Sequence, residues 1–416
     1  MRRVVVTGLG CLSPLGNDAD LTFRRLLEGR SGIGPLTRFD TTDHRARIAG
    51  EVRDFDVGPY VPSRKTARHM DTFVKYGMAT AEMAIKHSGL DLATADLERV
   101  GMVIGTGVSG LQVTEAQQAI LLERGPRAVS PFYIPMFLGN MASAHIAIHH
   151  GIKGPNLHVA TACATGTHAI GEALHVIARG DADAMLAGST DAGITPLLVA
   201  GFCAASALSM RNDTPAEASR PFDRDRDGFV IAEGAGMLML EELEYARKRG
   251  APILAELSGY GLTNDAHHMT APHDTGDGGR RAMQMALAHA KVNAHEVDYV
   301  NPHGTGTPLG DKTEAIALQA LFGDHARSGK LWISATKSMV GHLLGAAGAL
   351  GAVVCVKTIV ERKVHPTINL HTPDPECGGL EFVPHEARDR NVRVAMANAF
   401  GFGGHNASLL FRAFEG

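Results

Sequence analysis

LHVATACATGTHAIGEALHVIARG, residues 157–180, is the stretch on which the fold turns. Its opening LHVA reads as a short strand and THAIGEALHVIARG, 167–180, as a helix. Between them TACATG, 161–166, sets one cysteine, Cys163, on a cramped strand-to-helix turn. A helix N-terminus offers free backbone N–H groups and a positive partial charge. A thiol placed there is expected to ionise more readily than an ordinary cysteine. The small neighbours Ala162, Ala164 and Gly166 leave room for a substrate. The plainer alternative is a buried small hydrophobe, a common fate of a lone cysteine.

The same strand, turn and small-residue helix recurs as WISATKSMVGHLLG, 332–345. Two further pairs echo each other across the chain. RVGMVIGTG, 99–107, resembles VDYVNPHGTG, 297–306, and EGAGMLMLEE, 233–242, resembles GGHNASLLF, 403–411. Strands alternate with helical stretches, which predicts an α/β fold with largely parallel pairing. The repeats predict two similar halves, 1–250 and 251–416, with no long linker between them.

Composition narrows the function. The chain has 416 residues, an apolar share of 44% and a net charge of −4, so nucleic acid is not an expected partner. Its five scattered cysteines form no C-x-x-C, which argues against a disulfide framework or a zinc ribbon and for a reducing, cytoplasmic setting. The N-terminal RRVVVTGLG is a strand running into a turn rather than a leader. The most lipid-like stretch, LLGAAGALGAVVCV at 343–356, is too short to span and reads as a helix packed tightly inside the protein. DRDRDG, 223–228, has Gly234 where a calcium loop needs its last glutamate. GFGGHN, 401–406, lacks a phosphate-loop lysine. The pairs His149–His150 and His267–His268 have no ligand spacing in sequence. No metal or cofactor is therefore expected.

Two other places bring chemistry to strand ends, where parallel α/β sheets collect their binding groups. NPHGTGTPLGD, 301–311, sets His303 after an apolar strand, and TKSMVGHLLGAAG, 336–348, sets Lys337 and His342 around another turn. On these signals alone the chain reads as an acyl transferase working through a covalent thiol.

TACATG, PHGTGTPLGD, TKSMVGHLLGAAG, NAFGFGGHN, SRPFDRDRDGFVIAEGAG and the opening RRVVVTGLG occur together and in order. In this the chain resembles the β-ketoacyl-acyl carrier protein synthases, the elongating condensing enzymes of type II fatty acid synthesis, over essentially its whole length. The subtype often called synthase II is the nearest. The resemblance implies a thiolase-like fold, a duplicated α-β-α-β-α layering, and a homodimer. It implies acyl-carrier and malonyl-carrier protein as substrates, with Cys163, His303, His342 and Lys337 as the catalytic set. Phe400 is implied as oxyanion donor and gate. Glu314, Thr305 and Thr307 are implied as supporting groups, and Val108 and Phe202 as lining of the acyl channel. Arg64, Lys65 and Arg68, with Arg127 across the entrance, match the basic stretch used for carrier docking. Departures from the usual pattern are Pro302, Gly306, Ala399 and His405, and none removes a catalytic group. A polyketide ketosynthase shares the Cys-His-His set and is the runner-up; a Cys-His acyl hydrolase is the more distant alternative.

Overall fold

The computed structural model describes residues 2–416. Eleven strands form one mixed sheet. In chain order they are β1 (Val4–Leu12), β2 (Val100–Gly105), β3 (Asn156–Leu157), β4 (Ala184–Asp191), β5 (Gly234–Glu242), β6 (Ala255–Asn264), β7 (Tyr299–Asn301), β8 (Trp332–Ile333), β9 (Glu381–Phe382), β10 (Val394–Gly401) and β11 (His405–Arg412). Across the sheet they run β9-β8-β7-β10-β11-β6-β1-β5-β4-β2-β3. The order is close to a palindrome about the β6–β1 seam, where only Val5 with Glu256 and Val6 with Ala255 are paired. The sheet is thus two leaves joined by a narrow seam. β2 mirrors β7, β3 mirrors β8 and β5 mirrors β11, which are the three pairs of echoed sequences.

Five helices layer the leaves: α1 (Thr72–Ser88), α2 (Thr165–Arg179), α3 (Asp277–Ala290), α4 (Pro308–Phe322) and α5 (Ala347–Glu361). α1 covers β1, β4 and β5 from outside, and α3 covers β6 and β11. α2 and α5 lie between the leaves and touch both. This is the expected α-β-α-β-α layering of the thiolase-like fold. Close approach of the central helices demands glycine. A Cβ on Gly166 would strike Ser189 and the backbone of Ala349, and one on Gly348 would strike Thr167. The run Leu344–Glu361 is apolar enough to cross a membrane by composition, but 89% of it is buried inside the protein. Its Lys357 reaches out at one flank to Asp20 and Glu361, each at 2.8 Å.

The expectation of largely parallel pairing needs correction. β2 pairs in parallel with β3 and β4, β7 with β8 and β10, and β8 with β9; every other ladder is antiparallel. The reason lies in the connections. A parallel pair needs a crossover, usually helical, whereas a short loop permits only a hairpin. β10 and β11 are joined through residues 402–404, with Gly403 and Gly404 at φ 84° and 76°. A second adjustment concerns LHVA, since the regular strand stops at Leu157 and His158 instead caps Ile104 through a 2.9 Å hydrogen bond.

Candidate active site

Beyond β3 the chain enters the left-handed region at Ala162, φ 49°, and reaches helix α2 three residues later. A non-glycine residue there is strained, and Cys163, next in the chain, lines the cleft. Gly401 of β10 packs against the same turn; a Cβ on it would lie 2.7 Å from Thr161 O and 3.1 Å from Cys163 N. That answers why small residues crowd the thiol: two backbones meet there.

His342 follows β8 and a single helical turn, Lys337–Val340. Its backbone is locked between Val230 O (2.7 Å) and Ala232 N (2.9 Å). Its Nε2 lies 3.1 Å from Cys163 Sγ. The His303 ring, after β7, stands 5.4 Å from the His342 ring and nearly perpendicular to it. Nδ1 of each ring is buried without a partner. A buried N–H without an acceptor is costly, so the proton belongs on Nε2, the nitrogen facing the cleft. Burial, with Lys337 close by, holds both imidazoles well below the usual histidine range. Both are therefore neutral N–H donors.

Glu314 and Lys337 grip His303 by its backbone. Glu314 accepts from His303 N and Gly304 N, each at 2.8 Å. Lys337 Nζ donates to His303 O at 2.6 Å. Burial raises the Glu314 carboxyl and lowers the Lys337 ammonium, whose charge is held up by Glu314 and Cys163. Thr305 and Thr307 share a 3.0 Å hydroxyl contact. Both line one cleft of about 570 Å³ with Cys163, His303, His342, Val108 and Phe202. Phe202, Phe229 and His342 make successive edge-to-face contacts, each 5.2 Å between centroids.

The thiol reverses one expectation. Burial outweighs the turn and pushes Cys163 up to about 11, although Lys337 and the N–H groups of Cys163 and Phe402 pull the other way. Its local sequence shows the helix but not the depth at which the turn is buried. Alkylation by iodoacetamide is expected to accelerate about tenfold per pH unit from neutrality upward, bending only as pH nears 11. A plateau by about pH 8 would mean a thiol more acidic than an ordinary cysteine. Of the five cysteines only Cys163 keeps partial exposure, so it is expected to react first in peptide mapping.

Phe400 also requires correction. The second backbone N–H on the sulfur is that of Phe402, not Phe400. The Phe400 ring packs near His303, 5.8 Å between centroids, and against Gly279. Phe402 lies in the hairpin loop, 40% exposed, and lines the cleft as Phe400 does. In FGFGG the two phenylalanines differ only in which one the ladder still pairs, a long-range fact. Asp311 is a further group the sequence did not single out. From the first turn of α4 it accepts from Thr305 N, Gly306 N and Phe222 N at 2.7–3.1 Å, fixing the turn that carries His303. An acidic residue in a helix's first turn is the signal that marks it.

Arg64, Lys65, Arg68 and Arg127 are exposed, and among the described residues none enters an ion pair or side-chain hydrogen bond. Of this basic stretch only a single turn, Arg64–Ala67, is helical. His69 is committed elsewhere, stacked on Phe132 at 3.8 Å. Far from the cleft, His150 Nε2 meets Glu82 at 3.2 Å, tying α1 to the helix Met141–His150.

Residues 1–246 match the family described as beta-ketoacyl synthase, N-terminal domain, and residues 254–371 its C-terminal domain. The chain is 50% identical to a 3-oxoacyl-[acyl-carrier-protein] synthase 2 of Synechocystis over 414 residues, covering 100% of this chain and 99% of that one. It is 49% identical to the synthase 2 of Vibrio harveyi, covering 99% and 98%. Among solved structures, the ishigamide ketosynthase/chain length factor superposes with a TM-score of 0.92 at 36% identity, covering both chains fully. A type II polyketide ketosynthase, in complex with its acyl-carrier protein and bound to the hexaketide, superposes at 0.91 with 32% identity, covering 99% and 100%.

Proposed function

The chain belongs to the beta-ketoacyl synthase family, and from that premise we propose how its cleft divides the work of condensation. It is an acyltransferase of type II fatty acid synthesis, and its partners are acyl carrier proteins. The thiol of Cys163 attacks the carrier's thioester carbonyl. The carrier thiol leaves with the proton, and the acyl group stays on sulfur. The N–H groups of Cys163 and Phe402 face the oxyanion. Malonyl-carrier then enters, and His303 and His342 donate to its thioester carbonyl. Carbon dioxide departs, leaving an enolate whose carbon attacks the acyl-Cys163 carbonyl. The C–S bond breaks, the Cys163 sulfur leaves as thiolate and takes a proton from solvent, and the β-ketoacyl-carrier leaves extended by a two-carbon unit. Lys337 and Glu314 act as positioning residues through the His303 backbone. Thr305 and Thr307 support the incoming thioester, Phe400 and Phe402 close the cleft, and Val108 and Phe202 line the acyl channel.

The observation that carries this reading is the 3.1 Å contact between Cys163 Sγ and a neutral His342, with His303 beside it. The test supplies acyl-carriers of graded length with malonyl-carrier and identifies products by mass. One extension per turnover with malonyl consumed is expected. Free acid released without malonyl consumption would mean a hydrolase, and repeated unreduced extension a polyketide-type synthase. That second reading has structural neighbours at 32–36% identity, but the relatives near 50% are 3-oxoacyl-[acyl-carrier-protein] synthases 2.

Carrier docking is assigned to Arg64, Lys65, Arg68 and Arg127, supported by their exposure and free charge. Such contacts steer encounter and weaken with salt. Lys65→Glu with Arg68→Glu is expected to raise the KM for acyl-carrier sharply at low salt. Turnover of a short acyl-pantetheine should hardly change. Equal loss on both substrates would make the segment a support of the fold instead.

A homodimer is part of the same proposal. Leu122, Phe132, Ile134, Ile148 and Leu157 are exposed apolar residues, and Leu157 lies on the two-residue edge strand β3, which ends the sheet. The division at residue 250 places the thiol in the first half and both histidines in the second; the near-palindromic strand order supports it. A cytoplasmic location agrees with five free cysteines.

A further inference from the structure

Asp191 ends β4 with no exposed surface, and among the described residues no ion pair includes it. Its carboxylate is spent on hydrogen bonds from two separate loops. From the loop after β2 it accepts Thr106 Oγ1 at 2.6 Å, Gly107 N at 3.0–3.1 Å and Val108 N at 3.2 Å. From the loop after His342 it accepts the amide of Gly345. The loops touch at a glycine pair. A Cβ on Gly345 would lie 2.6 Å from both Asp191 Oδ2 and Gly107 N, and one on Gly107 would lie 3.0 Å from Gly345 N. Leu344, between His342 and Gly345, is held in the left-handed region at φ 54°.

The side chains that these loops carry meet in front of the same segment. Two residues after Asp191, a Cβ on Gly193 would lie 2.8 Å from Leu344 Cδ1 and 3.0 Å from Val108 Cγ2. Val108 and Leu344 both line the cleft that holds Cys163. A buried carboxylate is expensive to keep, and burial pushes this one up to about 6. Asparagine could not replace it, because its amide nitrogen would face backbone N–H groups. One carboxylate therefore fixes the spacing of two channel walls, one of which also carries His342.

We propose that Asp191 is a specificity-determining positioning residue: it sets the width of the acyl channel between Val108 and Leu344, and so which acyl lengths Cys163 accepts. The proposal rests on the condensing-enzyme reading of the cleft. The experiment compares the parent enzyme with Asp191→Asn and Asp191→Glu on short, medium and long acyl-carriers, reading kcat/KM at each length. Asp191→Asn gives up charge-assisted hydrogen bonds, and the long-to-short ratio of kcat/KM is expected to move on the order of tenfold. Asp191→Glu keeps the charge but pushes the loops apart, so the preferred length should shift. A length-dependent change in either variant supports the proposal. Parallel losses at every length in both, whatever the melting temperature, overturn it and leave Asp191 a support of the fold. A parent enzyme that fails to condense at any length would instead defeat the underlying reading.

Discussion

Cys163→Ala leaves condensation reduced by on the order of 10⁴–10⁶, while malonyl-carrier continues to lose carbon dioxide. The first half follows from chemistry: without sulfur there is no bond on which to hold the acyl group, so the enolate has no electrophile. The second half follows from geometry. In the proposed mechanism the donors that polarise the malonyl thioester are the two histidines, and their backbones are held by Glu314, Lys337 and the segment 230–232, not by the thiol. Folding should survive, because the strained residue of the turn is Ala162 rather than Cys163. The measurement follows carbon dioxide and β-ketoacyl product separately on one sample. Condensation near the parental rate would remove Cys163 from the mechanism. Loss of decarboxylation together with condensation would show that the thiol, or the shape it imposes, also serves the second step.

What the sequence made legible were local patterns that repeat. Three echoed pairs of segments foretold the mirrored leaves, because a strand ending in Gly-Thr-Gly or an apolar helix entry is written within about ten residues. The three chemical groups were legible for the same reason: Cys163, His303 and His342 each follow a strand into a turn of small residues. Strand direction at the sheet centre was not legible. It depends on what lies between β4 and β5 and on the brevity of the loop at 402–404, and neither alters residue periodicity.

Groups that act across the chain were harder to see. Asp191 serves loops 85 and 154 positions away, counting to Thr106 and Gly345. Nothing in STDAG marks it as different from any other acidic residue near a strand end. Phe402 displaced Phe400 at the sulfur because the hairpin, not the motif, decides which amide turns inward. The thiol's acidity was misjudged because a helix N-terminus is local and desolvation is not.

His303→Ala lowers malonyl decarboxylation on the order of 10²–10³, the worth of a donor aimed at a developing oxyanion. Transfer of the acyl group to Cys163 should stay close to parental, since it is the His342 Nε2 that meets the sulfur. His342→Ala should impair both steps, and the contrast between the two variants separates their roles. Charge gives a second test. Lys337 lowers both imidazoles, together with burial, so the parent enzyme is expected to show no acid limb at the ordinary histidine value of about 6.5. Removing the cation in Lys337→Met takes away one lowering influence, so the imidazole pKa values rise and an acid limb should move toward neutrality. Burial still opposes ionisation, so the limb remains below the ordinary value. If His303→Ala decarboxylates malonyl-carrier as fast as the parent does, the enolate is stabilised by something other than the paired rings. If it instead loses acyl transfer as severely as decarboxylation, His303 holds the thiol's surroundings in shape rather than the malonyl carbonyl.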